Sequence, residues 1–135
     1  RAGCEAYLEQ AGIPWSTVRV AVGHGTTRGG YAAAARLLTD HPWLTGLVCG
    51  NDRMAMGAYD AIRERGLRVR EDVAVIGIDD QELIADQVHP ALTTVALPFE
   101  EMGQVAVSLL LDLMEGKEVP AETLLPGQII RRSSA

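Results

Sequence analysis

The sequence predicts an α/β fold, a parallel sheet with helices on both of its faces. Apolar, β-branched runs alternate along the chain with helical stretches of about ten or more residues. Strands joined through such helices form right-handed βαβ units and therefore run parallel. The run at residues 73–78 is apolar without alternation, which is typical of a parallel strand covered on both faces.

Length and composition set limits on the function. The 135 residues suit one domain, and 47% of them are hydrophobic and 22% charged, as in ordinary globular proteins. A net charge of −6 repels phosphates, so we expect no nucleic-acid contact by this part of the chain. No apolar run approaches the roughly 20 residues of a membrane span, and residues 1–5 do not resemble a secretory signal.

The first half of the chain predicts three helices and three strands. The helices occupy residues 3–10, 31–39 and 52–65 and end near glycine or proline, and Asn51 and Asp52 supply N-cap chemistry for the third. The strands occupy residues 18–22, 46–49 and 73–78, and a glycine-rich turn at residues 23–30 follows the first of them. Cys4 and Cys49 are both expected to be small buried hydrophobes.

The second half predicts a strand at residues 92–97, a helix at residues 99–115 and a final strand within residues 124–130. The helix follows Pro98 and carries Glu100 and Glu101 in its first turn, where carboxylates complement the helix dipole. Apolar residues cover most of its circumference, so it needs cover on two sides. Two interpretations stay open: the helix is sandwiched within its own domain, or part of its cover lies outside this chain or in a partner subunit.

The glycine-rich turn raises the question of a nucleotide cofactor. Its spacing is G-x-G-x-x-x-G rather than the dinucleotide pattern G-x-G-x-x-G, no acidic residue ends the next strand, and no Lys-Ser/Thr pair follows the glycines. The three histidines have no metal-ligand spacing, and no nucleophile–base arrangement is evident. We therefore expect no cofactor, no metal site, no catalytic residues and no enzymatic activity.

Polar pairs follow two of the predicted strands. Asn51 and Asp52 come after residues 46–49, and Asp79 and Asp80 come after residues 73–78. Ligands bind at the carboxyl ends of strands in open α/β sheets, where these groups suit the hydroxyls or amines of a small polar molecule. A purely structural role as helix caps is the alternative.

Several segments resemble, in order, the effector-binding region of the LacI/GalR family of bacterial transcription regulators. The segment CGNDRMAMGA at residues 49–58 is similar to the family's NDxMAxGA pattern, and GLRVREDVAVIGIDD at residues 66–80 to its GLxVPxDVxVxGxDD pattern. Further matching pieces follow in the remaining chain: PALTTV at 90–95, MG at 102–103, LP at 125–126 and RRS at 131–133.

The resemblance implies one lobe of a periplasmic-binding-protein-like type I fold that clamps a small effector. Residues 1–97 and 120–135 would form the second lobe, and the helix at 98–116 would pack on a first lobe outside this chain. A helix-turn-helix headpiece N-terminal to both lobes would contact operator DNA. The protein would be a cytoplasmic homodimer without a membrane partner.

The resemblance also implies roles for individual residues. Asp79 and Asn51 match effector contacts, and His24 and Thr26 are further candidates in a loop where Gly25 replaces a frequent aromatic. Met56 and Val88 match positions of dimer contacts. The expected ligand is a sugar-like or nucleoside-like effector. The alternatives are a periplasmic sugar-binding protein for transport and, resting only on the glycine-rich turn, a nucleotide-dependent enzyme.

Overall fold

The computed structural model describes residues 2–135. A short 3-10 helix, Trp15–Thr17, accompanies five α-helices and four strands in this part of the chain. They follow in the order α1 (Ala2–Gln10), α2 (Thr27–Asp40), β1 (Gly46–Val48), α3 (Asp52–Arg63), β2 (Ala74–Asp79), α4 (Glu82–Ala85), β3 (Thr93–Ala96), α5 (Phe99–Met114) and β4 (Gln128–Ile130).

The four strands form one mostly parallel sheet in the order β1-β2-β3-β4. β1, β2 and β3 are parallel, with Val48 opposite Ile76 and Ile78 opposite Val95, whereas β4 is antiparallel to β3. The predicted α/β class is therefore confirmed. Because the first three strands share one direction, the ends of β1 and β2 that carry Asn51 and Asp79 lie at one edge of the sheet.

The core lies between this sheet and the pair α2 and α3. Tyr59, Ile62 and Val75 have at most 1% of their surface exposed. Glycine allows α2 and α3 to approach closely, since a Cβ on Gly57 would lie 2.0 Å from the carbonyl oxygen of Thr27. A Cβ on Gly30 would likewise lie 2.3 Å from the carbonyl oxygen of Met54.

The predicted strand at residues 18–22 is wrong. This segment pairs with no strand in the described residues, and Val20 and Val22 are 64% and 74% exposed. The amide of Val18 donates to the carbonyl of Trp15 instead. β-Branched residues favour an extended backbone, but a strand also requires a neighbour to supply its hydrogen bonds.

The observed ends of other elements differ from the predicted ones because helix capping or strand pairing determines them. α2 begins at Thr27 rather than at residue 31, because Thr26 is its N-cap and accepts a hydrogen bond from the amide of Gly29 at 3.0 Å. β4 is limited to Gln128–Ile130, the residues that pair with β3. Cys49 is buried as expected, whereas Cys4 is exposed, and both cysteines are free.

α5 is the predicted helix, but it has no fully buried residue. Phe99, Met114 and Leu110 are 59%, 75% and 56% exposed. The interpretation that this helix is sandwiched within the described chain is therefore wrong. Its apolar circumference has no corresponding cover in the described residues, and the second interpretation stays a prediction.

Candidate functional site

A strained turn follows β2 at the carboxyl edge of the sheet. Asp79 and Asp80 have φ values of 110° and 53°, a left-handed conformation that side chains other than glycine rarely adopt. The side-chain amide of Gln81 donates to Asp79 Oδ2 at 3.1 Å. The rest of the half-exposed Asp79 carboxylate keeps acceptor capacity for a ligand.

Asp52 lies fully buried beneath this turn. Its Oδ1 accepts from the hydroxyl of Thr94 at 2.6 Å, and its Oδ2 accepts from the backbone amide of Gln81 at 2.7 Å. One carboxylate thus joins α3, β3 and the turn after β2. Gly77 leaves room for it, since a Cβ there would lie 2.1 Å from Asp52 Oδ1.

Burial changes the acid–base properties of the groups around Asp52. Desolvation raises the pKa of Asp52; the hydrogen bonds from Thr94 and Gln81 oppose this rise, and the nearby charges of Asp79 and Asp80 add to it. Desolvation and the Asp52 charge together raise the pKa of the Cys49 thiol to about 12. Cys49 therefore stays a thiol at neutral pH and serves as a packing residue.

Arg132, near the end of the chain, holds the other side of the turn. Its Nη1 donates to Asp80 Oδ1 at 2.8 Å and to the carbonyl of Leu92 at 3.0 Å. Its Nε lies 2.5 Å from Asp86 Oδ1. The carboxylate of Asp80 is therefore already bound to a cation, and Asp79 is the acid of the pair with acceptor capacity to spare.

Asn51 caps a helix and also fixes a loop. Its Oδ1 accepts from the amide of Met54 at 2.8 Å, so the predicted capping of α3 is confirmed. Its Nδ2 donates to the carbonyl of Gly25 at 3.0 Å. This bond brings the loop after residues 18–22 to the N-terminus of α3, and the second lone pair of Oδ1 can accept one further hydrogen bond.

The four predicted ligand residues have different surroundings. Asn51 and Thr26 are helix caps, whereas Asp79 and His24 lie in turns at positive φ, with His24 exposed at φ 52°. Asn51 reaches the loop of His24 and Thr26 through Gly25, and its chain neighbour Asp52 reaches the turn of Asp79 through Gln81. The four are thus linked along one edge of the sheet.

Sequence reasoning missed the residues that support this edge. Gln81, Thr94 and Arg132 were not predicted, and Asp52 was considered only as a cap or a ligand. A signal was present for Arg132, since three aspartates, Asp79, Asp80 and Asp86, lie close together in sequence, and their mutual repulsion favours a cation nearby. Nothing in the sequence pattern identified Thr94 as the hydroxyl that contacts Asp52.

The two predicted dimer residues lie on neighbouring elements. Met56 is half-buried on α3, and Val88 is half-buried after α4 and packs against the core. Leu83 of α4, which was not predicted, is 88% exposed.

Residues 2–135 contain neither a cluster of metal ligands nor a membrane-spanning helix. No group of three or more histidine, cysteine, aspartate or glutamate side chains in this range has the geometry to hold a metal ion. Within the same range, no helix combines the length and hydrophobicity that a membrane span requires. The arrangement at the sheet edge, a carboxylate beside carboxamide, hydroxyl and imidazole groups, suits hydrogen bonding to a small polyhydroxylated or amine-bearing molecule.

Comparison with known proteins gives a consistent picture. The model of the periplasmic binding protein-like domain family matches residues 1–135. The HTH-type transcriptional repressor PurR of Yersinia pestis bv. Antiqua is 39% identical over 130 residues, which are 95% of this chain and 38% of that protein. The chain therefore spans about two fifths of the length of this curated relative.

Solved structures agree with this match. The lac repressor dimer bound to operator and the anti-inducer ONPF has a TM-score of 0.86 at 34% identity, covering 98% of this chain and 39% of that one. The transcriptional regulator CelR in complex with cellobiose has a TM-score of 0.89 at 33% identity, covering 98% of this chain and 41% of that one.

Proposed function

Because the chain belongs to the periplasmic binding protein-like domain family, in the form found in LacI/GalR-family regulators, we propose that it is the effector-binding and dimerisation part of a DNA-binding transcription regulator. The motif series in the sequence and these relatives agree on this family. A transport role is less well supported, since the relatives described above are named as repressors or regulators.

The effector site is the edge of the sheet that carries Asp79. The observation that carries this assignment is the strained turn, in which Asp80 is neutralised by Arg132 while Asp79 keeps free acceptor capacity. Asn51, His24 and Thr26 complete the polar surface. Carboxylate and carboxamide groups form strong hydrogen bonds with hydroxyls, so the effector is a small polar molecule such as a sugar or a nucleoside.

DNA binding belongs to a different part of the regulator. With a net charge of −6 and 18 acidic residues, this chain repels a phosphate backbone. A helix-turn-helix headpiece N-terminal to the effector domain contacts the operator. Effector occupancy changes the closure of two lobes, and closure changes the operator affinity of the headpiece.

The exposed apolar surfaces are the contacts of this assembly. α5 packs on the first lobe, which accounts for its exposed Phe99, Leu110 and Met114. Met56 and Val88 lie at the homodimer interface, with the exposed Leu83 beside them. The regulator acts in the cytoplasm, where its operator is.

The coupling between effector and operator tests this function. The intact protein is first allowed to select operators from a pool of random duplexes. Its affinity for the selected operator is then measured with and without cellobiose, as a sugar probe, and adenosine, as a nucleoside probe. We expect one probe to change operator affinity, and the operator to change affinity for that probe by the same factor. Failure to select any DNA sequence would contradict the proposal.

A further inference from the structure

The turn after β2 holds two consecutive aspartates in the left-handed region, with φ of 110° at Asp79 and 53° at Asp80. Such residues persist only where the surrounding structure enforces the conformation. Here two charged side chains hold the turn from different sides. Asp52 holds the backbone amide of Gln81 from the buried side, and Arg132 holds the side chain of Asp80.

Arg132 is well placed for this task because its own position is fixed. Its side chain is 16% exposed, and its backbone amide donates to the hydroxyl of Thr93 at 3.0 Å. The guanidinium contacts Asp80 and Asp86, which stand on either side of the short helix α4. One planar cation therefore fixes the turn and α4 as a unit, anchored to β3.

We infer that Arg132 is a positioning residue for the effector site: without touching the effector, it holds the turn so that the Asp79 carboxylate faces the ligand. This inference rests on the proposed function. Removing the guanidinium leaves Asp80 unneutralised beside Asp79 and Asp52, and repulsion among the three carboxylates favours opening of the turn. The ammonium of lysine is a single point charge and does not reproduce the planar contact with Asp80, Leu92 and Asp86.

The test compares Arg132→Gln and Arg132→Lys with wild type in the intact regulator. The matched control is Arg68→Gln, which removes another arginine paired with an aspartate, Asp72. Arg68 precedes β2, so it lies at the opposite end of that strand from Asp79.

The first measurement is hydrogen exchange at the backbone amide of Gln81, which reports opening of the turn without any ligand. We expect Arg132→Gln to accelerate this exchange by roughly tenfold or more, the effect of one lost charge-assisted hydrogen bond. Arg132→Lys should lie between this variant and wild type and keeps the test possible if Arg132→Gln does not fold. If the Gln81 amide exchanges in both Arg132→Gln and Arg132→Lys at the same rate as in Arg68→Gln, the inference is overturned.

The second measurement is the dissociation constant for whichever of cellobiose and adenosine binds wild type. Arg132→Gln should weaken binding by roughly tenfold, with partial recovery in Arg132→Lys and no change in Arg68→Gln. Faster exchange with unchanged probe affinity would reduce Arg132 to a stabilising ion pair and so overturn its positioning role. If Asp79→Asn does not weaken probe binding, the proposed effector site itself is wrong, and the exchange at Gln81 still shows whether Arg132 holds the turn.

Discussion

Asp52 shows how one buried side chain organises the sheet edge. It has no exposed surface, yet it accepts hydrogen bonds from Thr94 and from the amide of Gln81. A buried carboxylate without such donors is strongly destabilising. The sequence identified Asn51–Asp52 as a cap, and Asn51 alone performs that task. Asp52 instead points toward the sheet because Gly77 leaves space for it.

The raised pKa of Asp52 predicts a pH dependence of stability. At a pH between the ordinary pKa of Asp52, 3.8, and its higher value in the folded chain, the folded chain holds more protons than the unfolded chain. The stability that Asp52 contributes is therefore complete below 3.8 and is lost as the pH rises through the native pKa. In chemical denaturation of the intact protein, the stability of wild type relative to Asp52→Asn should fall as the pH rises above 3.8.

Asp72 provides a control of opposite sign. Hydrogen bonds from Arg68 lower the pKa of Asp72 from 3.8 to about 2. Its contribution is present above pH 3.8 and is lost as the pH falls through about 2, so wild type relative to Asp72→Asn should lose stability toward acid. If the stability of wild type relative to each variant changed with pH in the same direction, Asp52 would not be desolvated as described.

At the scale of elements, the close packing of α2 on α3 is the most demanding feature. Gly57→Ala places a methyl group 2.0 Å from the backbone oxygen of Thr27, and a backbone cannot yield as a flexible side chain does. We expect a loss of about 1–3 kcal/mol in the free energy of unfolding, the usual cost of overpacking.

The control for Gly57→Ala is Asp60→Ala on the same helix. Asp60 is exposed, so alanine there changes only helix propensity and should stabilise by up to about 0.7 kcal/mol. Denaturant unfolding measures both variants. Equal effects would mean that the two helices are not in close contact at Gly57.

The elements that the sequence predicted are those whose signals are local. α3 has a side-chain cap at Asn51, α5 follows Pro98, and β2 is a continuous apolar run, and all three formed where expected. The segment at residues 18–22 failed because strand formation depends on a hydrogen-bonded neighbour that composition does not specify. The start of α2 was misplaced because its glycines suggested a turn, whereas they permit close helix packing.

The candidate site was predictable only in part for the same reason. Asp79 and Asn51 follow strands directly, so topology alone places them at one edge. Arg132 is 52 residues from Asp80 in sequence, and only the folded chain shows their contact. Long-range partners of this kind leave no periodic signal in the sequence.

At the scale of the whole molecule, the negative charge and the exposed apolar surface indicate different kinds of contact. In the proposed regulator, this acidic chain would bind a small ligand and a separate headpiece would contact DNA. The exposed circumference of α5 fits a helix that joins this lobe to another, and Met56, Leu83 and Val88 fit a subunit contact. The proposed function then requires that effector binding at Asp79 change the relative positions of these bodies and so the affinity for the operator.

The most direct test of this central claim is the affinity of Asp79→Asn, in the intact protein, for the probe that wild type binds and for the selected operator. Loss of the carboxylate should weaken probe binding by roughly tenfold or more, since a charge-assisted hydrogen bond is removed. Operator affinity without probe should stay unchanged, and Asp72→Asn should resemble wild type in both measurements. Probe affinity equal to that of wild type would contradict the assignment of Asp79 as the effector-binding acid.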